Sequence, residues 1–548
     1  MKSIIYSVSL ALGISMLSSC EYMLEEDVRN QISNEHLNTP LGLEDGVNAA
    51  YSFLRSFYGI QNGGWLTVFG TDEFLNGNAD PAYATYSANI NSRSGVVSGP
   101  WNAFYQAINT CNAVIERGQQ VQGMDEALKN TRIAEARFLR AHYYFLLVQI
   151  FGPVHITLEE TIGASREATR APTEEVYQVI IDDMEAAIPN LLATPSAYGR
   201  ATVHAAKHQL AKVYLTRAGS TAAQPGDYAK AAELAEDVIN DSGNHRLLDD
   251  FADIYRVGNE VNDEVLFAVQ YSNVQLLNED GNNAHMFYTC AYDGQPGMYR
   301  DLANGRPWAH YRPTEFMLSL FDEADSRDEK SFQRVWYCNN PGTFTIDGRS
   351  ITLALGDTAL YIADREYTAE ERARANYKIV APSQYTNTLF PSLTKYLDPD
   401  RPNINDAGGT RDFVVYRLAD TYLLAAEALL MSGREADALP YVNAVRRRAA
   451  RVGATPAETE ANRQALEVTA SDLDIDFILD ERARELSGEY MRWFDLKRTN
   501  KLLERVRLHN PQAEPNIQEY HVVRPIPQTQ IDRTEGGADA FPQNPGYN

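Results

Sequence analysis

Two stretches about two hundred residues apart carry one helical pattern, and that repeat constrains the fold more than anything else in the sequence. GDYAKAAELAEDV begins at Gly226 and GREADALPYVNAV at Gly433; aligned without gaps, they set Ala229 against Ala436, Ala231 against Ala438 and Val238 against Val445. Upstream, AKVYLTRAG (211–219) matches AAEALLMSG (425–433), the first copy carrying seven extra residues between Gly219 and Gly226. Small side chains at fixed helical positions let two antiparallel helices approach closely. Each copy therefore reads as a hairpin that must bury a face against a neighbour.

The segment between Trp101 and about Asn240 continues the pattern. In ARFLRAHYYFLLVQIFGP (136–153), Phe138, Ala141, Phe145 and Val148 recur at i, i+3, i+7 and i+10, and from Tyr143 the positions between them are largely apolar too. Such a helix is covered on more than one side, and Gly152 with Pro153 ends it. Pro172 and Thr173 open the next, with Glu174 and Glu175 facing the positive end of its dipole. Stacked hairpins of tetratricopeptide type are the expected frame. Between the two copies the character changes: 245–410 holds short β-compatible runs, EVLFAVQY (264–271) and SITLAL (350–355), separated by turn-rich stretches such as YDGQPGMYRDLANGRPW (292–308). The expectation is a mainly α chain with an irregular, loop-rich insertion containing short β elements. Its divisions are a leader at 1–19, helical parts at 20–244 and 411–548, and the insertion at 245–410. Long loops held by a rigid frame are where binding surfaces are usually placed.

The first residues read Lys2, a mostly apolar run over 4–17, then LSSC ending at Cys20. That is a secretory signal pattern, too short at 14 residues for the ~18 a membrane-crossing helix needs. Leu-Ser-Ser-Cys resembles the lipobox of bacterial lipoproteins, which implies that Cys20 becomes the first mature residue and carries acyl chains such as palmitate, enough for durable anchoring. The net charge is −25, from 49 basic and 74 acidic side chains, which excludes a broad phosphate-tracking surface for nucleic acid. Besides Cys20 there remain Cys111, Cys290 and Cys338, which permit at most one bridge. Cys290 with Cys338 is the expected pair, and Cys111 the buried apolar group.

Seven motifs then match one family in order: RFLRAHYYFLLVQIFGPV (137–154), ATVHAAKHQLAKVYL (201–215), DFVVYRLADTYLLAAEAL (412–429), YVNAVRRRAA (441–450), ILDERARELSGEYMRWFDLKR (478–498), RPIPQTQID (524–532) and QNPGY (543–547). The chain resembles the SusD/RagB family over nearly its whole length. The resemblance implies a SusD-like fold and a surface-exposed outer-membrane lipoprotein. It also implies a SusC-like TonB-dependent barrel as partner, over which the lipoprotein acts as a lid, capturing glycan or sometimes peptide for import. Within DERARELSGEYMRWFDLKR, Asp480 with Arg484 and Glu481 with Arg484 have i,i+4 and i,i+3 spacing, so salt-bridged packing is the reading of these acids, not a catalytic pair.

Catalytic and cofactor signatures are missing from the sequence: there is no Gly-Lys pair for a phosphate loop, no HExxH, no CxxC and no GxSxG. His204 and His208 lie i,i+4 without a third ligand nearby in sequence, and read as packing. Asp472, Asp474 and Asp476 imitate a calcium loop, but Phe477 stands where glycine is needed and Ala483 where glutamate should coordinate. DPDRPNIND (398–406) reads as a solvated turn, though Asp398, Asp400 and Asn403 could hold calcium. No cofactor and no catalytic residue is assigned. Aromatic rings in loops remain. A pyranose offers an apolar C–H face and a hydroxyl rim, so it binds over a ring with polar groups at the edge. The first candidate stretch, 63–86, has Trp65, Tyr83 and Tyr86 beside Asp72, Glu73 and Asn76. The second has Tyr288, Tyr292, Tyr299, Trp308 and Tyr311 beside Asp293, Asn304 and Arg306. Trp101, Trp336 and Trp493 are assigned to the core. The expected function is non-enzymatic capture of glycan, with peptide capture or, third, a surface glycoside hydrolase as the alternatives.

Overall fold

The computed structural model describes residues 36–547, apart from 164 and 242–244. The leader and Cys20 lie outside the described residues. Helices α1 (Pro40–Ser52), α2 (Gln61–Thr67), α3 (Gly95–Gly118) and α4 (Glu126–Phe151) come first. They are followed by α5 (Thr173–Ala187), α6 (Val203–Ala218) and α7 (Asp227–Asn240). A second run comprises α8 (Leu418–Met431), α9 (Glu435–Ala449), α10 (Pro456–Leu466), α11 (Ile475–Leu486), α12 (Arg492–Arg498) and α13 (Leu502–His509).

The repeat corresponds to two hairpins, α6–α7 and α8–α9, with α7 packed on α8. Burial repeats with the alignment: Ala231 and Ala438, and Val238 and Val445, are buried, while Ala229 and Ala436 are both exposed. Ala211, Ala235 and Ala425 meet in one cluster, where their methyl groups permit the close helix approach that the sequence demanded. In α4 every residue from Phe138 to Phe151 is buried, Asp125 caps the start by accepting from Leu128 N (3.0 Å), and Gly152 ends it at φ 75°. Trp101, Trp336 and Trp493 are core residues.

Strands β1 (Phe74–Asn76), β2 (Val265–Val269), β3 (Tyr311–Pro313), β4 (Val335–Tyr337) and β5 (Gly342–Ile346) are short. So are β6 (Arg349–Leu353), β7 (Thr358–Ile362), β8 (Lys378–Val380) and β9 (Phe413–Arg417). Antiparallel pairing of β2 with β9 ties the start of the expected insertion directly into the helical core. From Cys290 to Phe390 the irregular region has an apolar cluster of its own, which includes Trp336, Leu360 and Ile362 beside the β5–β6 hairpin and the β4–β7–β8 sheet, and Leu248, Phe251 and Ile254 form a smaller one. Within it Cys290 and Cys338 are free, buried thiols, which corrects the expected bridge.

The acidic motif on α11 faces inward. Glu481 accepts from Arg327 (2.7 Å), Arg446 (2.6 Å) and Arg484 (2.8 Å), and Glu485 from Arg327 (3.0 Å), Arg417 (2.6 Å) and Arg448. Both glutamates are fully buried. Burying a charge is costly unless it is paired and hydrogen-bonded, and here each carboxylate has three guanidinium partners. Asp480 pairs with Arg505 rather than with Arg484, because α13 brings that guanidinium against α11. His204 and His208 are likewise structural: His204 meets Asp241 (3.0 Å) and His208 meets Thr421 (2.8 Å). In the turn at 398–406, the Asp398 carboxylate accepts backbone N–H groups of Asp400 (3.0 Å) and Thr410 (2.6 Å).

Candidate ligand-binding site

The two aromatic-rich stretches, more than two hundred residues apart in sequence, are brought together by β1 and β3. Phe74 pairs with Pro313 and Asn76 with Tyr311, and the ladder continues past the strands: Gly77 N donates to His310 O and Asn78 N to Ala309 O, each at 2.8 Å. The approach is tight enough that a Cβ on Gly77 would sit 2.0 Å from Ala309 O, so the position requires glycine. Ala309 adopts φ 52°, a left-handed conformation that costs a non-glycine residue ~1 kcal/mol or more. That strained residue separates Trp308 from His310, and both side chains line the cavity that results.

The cavity is open and holds about 450 Å³; Gln61, Trp65, Asn78, Asp80, Trp308 and His310 line it. Trp65, on α2, is fixed by stacking on Phe69 (5.8 Å, 29°) and is 8% exposed. Trp308 is half-buried, with the Arg306 guanidinium 5.4 Å from its ring centre and His310 at 5.2 Å. His310 stacks on Phe287 at 7°, and burial pulls its pKa down to about 4, so it is a neutral imidazole at pH 7. Trp65 Nε1 and His310 Nδ1 are buried with no hydrogen-bond partner among the described residues, which leaves unmet hydrogen-bonding capacity on two lining residues. Asp80 is the one carboxylate of the lining, and one of its oxygens accepts from Ala82 N (2.9 Å). Two indole rings with amide, carboxylate and imidazole groups around them suit a ring of C–H groups edged by hydroxyls.

Residues 263–547, more than half of the chain, match the model described as the SusD family. The chain belongs to the SusD family. Residues 70–215 match a second model, "Starch-binding associating with outer membrane". Among curated relatives, SusD-like protein P25 of Formosa agariphila is 26% identical over 96% of this chain and 97% of its own. Starch-binding protein SusD of Bacteroides thetaiotaomicron is 26% identical over 78% of this chain and 75% of its own. A solved laminarin-binding SusD-like protein shares the fold at TM-score 0.68 and 24% identity, covering 93% of this chain and all of that one. A SusD homolog from Bacteroides thetaiotaomicron does so at TM-score 0.71 and 22% identity, covering 95% of this chain and all of that one.

Within this SusD-family fold most of the expected site residues are scaffold. Tyr83, Tyr86, Tyr288, Tyr292 and Tyr311 are all at most 2% exposed and so are not display platforms. Tyr86 donates to Gly70 O (2.9 Å), Tyr288 to Gly488 O (2.9 Å) and Tyr292 to Gly305 O (2.8 Å). Tyr311 meets Phe69 edge-on at 4.5 Å, and Tyr83 lies under Arg524. Asp72 is buried against Arg492 (2.6 Å) and Arg505 (3.0 Å); burial would raise its pKa, but Arg492 and then Arg505 outweigh that and hold it at about 2. Asn76 closes the turn to Ala79 (3.3 Å), Asp293 pairs with Arg300 (2.9 Å), and Arg306 donates to Asn405 O (2.7 Å). Tyr299 is 64% exposed but outside the cavity. Of the expected residues, Trp65 and Trp308 alone line it. Gln61, Asn78, Asp80 and His310 escaped the sequence reading, although Asn78 and Asp80 lie inside the 63–86 stretch, in the turn signal NADP.

Proposed function

We propose that this SusD-family protein is a non-catalytic glycan-binding lipoprotein of the outer membrane, anchored through Cys20 and facing the cell exterior. It would hold oligosaccharide between Trp65 and Trp308 for delivery to a SusC-like TonB-dependent barrel. The observation that carries this reading is the meeting of those two indoles over one open cavity, edged by Gln61, Asn78, Asp80 and His310. Support comes from the relative whose name is starch-binding protein SusD, and from the domain description that couples starch binding to the outer membrane. Each stacked ring contributes ~1 kcal/mol beyond burial, so capture needs both platforms and the polar rim together. The test is retention of protein beginning at Glu21 in native gels cast with polysaccharides, alongside a reducing-sugar assay. Retention without sugar release supports capture; sugar release supports a hydrolase, and peptide binding without glycan retention supports the other nutrient class.

A further inference from the structure

A second cavity, of about 760 Å³, opens where the C-terminal ends of α4 and α6 meet α12 and α13, lined by residues other than those of the Trp65–Trp308 site. Tyr177, Phe494 and Leu503 give it apolar walls, while Thr221 and Asn500 add a hydroxyl and an amide. Lys497 is its distinguishing group. The ammonium donates to Gln149 O and lies 5.3 Å from the centre of the Trp493 ring, and no carboxylate pairs with it among the described residues. Arg524, fully buried, lies 4.6 Å from the same indole, and none of its guanidinium nitrogens has a hydrogen-bond partner there.

Several other buried cations are neutralised by carboxylates, whereas among the described residues Arg401 meets only the Asp398 and Asp406 carbonyls. Arg417 meets Glu264, Glu485 and Glu489, Arg482 meets Asp420 and Asp495, and Arg492 meets Asp72. Two uncompensated cations against one indole contrast with those paired arginines, since cation–π contact returns only part of the cost of desolvation. Burial, and next the Arg524 guanidinium, push the Lys497 pKa down to about 7, the direction expected of an ammonium that lacks its anion. The lining holds two acids: Glu504, already held by Lys501 (3.0 Å), and Glu519, and among the described residues neither forms an ion pair with Lys497.

We propose that this cavity binds the carboxyl-terminal residues of short peptides. The terminal carboxylate pairs with Lys497, an apolar side chain lies against Tyr177, Phe494 and Leu503, and the peptide amides meet Thr221 and Asn500. A bare alkyl carboxylate would leave those polar groups without partners, and a neutral sugar would leave the ammonium without one. The volume falls in the range of pockets that take small ligands, and capture of a chain end by its carboxylate is a recurrent recognition mode. This inference does not depend on the glycan reading.

The test is calorimetric titration of protein beginning at Glu21 with N-acetyl-Leu-Leu-Phe as free acid, with the same peptide as its C-terminal amide, and with octanoate. The free acid should bind at least tenfold more tightly than either comparator. Lys497→Met should abolish the preference for acid over amide. Thr221→Trp, at the exposed mouth of the cavity, should weaken the free acid while leaving the melting temperature and glycan retention unchanged. Equal binding of acid and amide, no binding of the acid, octanoate binding as tightly as the peptide, or a Lys497→Met protein that keeps the preference would each overturn the assignment.

Discussion

Replacing Glu481 with glutamine removes the charge from a carboxylate that three arginines hold inside the core. Burial alone would raise its pKa, but Arg327, then Arg446 and Arg484, outweigh that and bring it down to about 2. A carboxyl held from its ordinary 4.5 to about 2 carries about 3 kcal/mol of folding stability, each pKa step being worth ~1.36 kcal/mol. Breaking a buried pair by removing one charge typically costs ~3–5 kcal/mol, which agrees. For a chain of this length the unfolding entropy is about 1 kcal/mol per kelvin, so Glu481→Gln should lower the melting temperature by about 3–4 °C at pH 7. The sign of the pH dependence follows from the depressed pKa. The contribution is complete above pH 4.5 and is lost as pH falls from there toward 2, so the gap between parent and variant should shrink to less than half at pH 3. Differential scanning calorimetry at the two pH values measures both. Glu460→Gln, which touches the exposed pair with Arg447, is the control and should change neither. A Glu481→Gln protein that melts with the parent at pH 7, or a gap of the same size at pH 3, would refute this account of the buried network.

The other predictions concern the site and its surroundings. Tyr288→Phe removes a buried hydroxyl that donates to Gly488 O, and should cost ~1 kcal/mol of stability while glycan retention stays unchanged; loss of retention would return Tyr288 to the binding site. Protein beginning at Glu21, unfolded without reductant, should titrate three thiols with Ellman's reagent, and none when folded, since Cys111, Cys290 and Cys338 are all buried and free; one thiol on unfolding would mean that Cys290 and Cys338 are bridged. Gly77→Ala sets a methyl 2.0 Å from Ala309 O, and should abolish glycan retention by parting β1 from β3, an effect visible as a loss of affinity in the same gels.

The helical frame was legible because its signals are short-range. Apolar spacing within α4, the Gly152 stop and the paired alanines of the two hairpins each depend on neighbours a few turns away. The site was legible only in outline, because ring burial is settled by contacts hundreds of residues distant. Tyr288 and Trp308 share one turn-rich stretch, yet Tyr288 is sealed beneath Tyr396 and Gly488 while Trp308 faces an open cavity. Asp72 has the look of a loop acid until Arg492, 420 residues further on, is brought against it. The pairing of β1 with β3 decides which rings meet, and three-residue strands leave almost no alternation to read. The pairing of β2, inside the expected 245–410 insertion, with β9 outside it is a long-range contact of the same kind.

Everything about capture rests on two indoles acting together, and titration calorimetry with the glycan best retained in gels tests it most directly. Trp308→Ala and Trp65→Ala should each weaken binding roughly five- to tenfold, from ~1 to 1.4 kcal/mol per lost ring, with the melting temperature of the half-buried Trp308 variant unchanged. Undiminished affinity in a folded Trp308→Ala protein would contradict the claim.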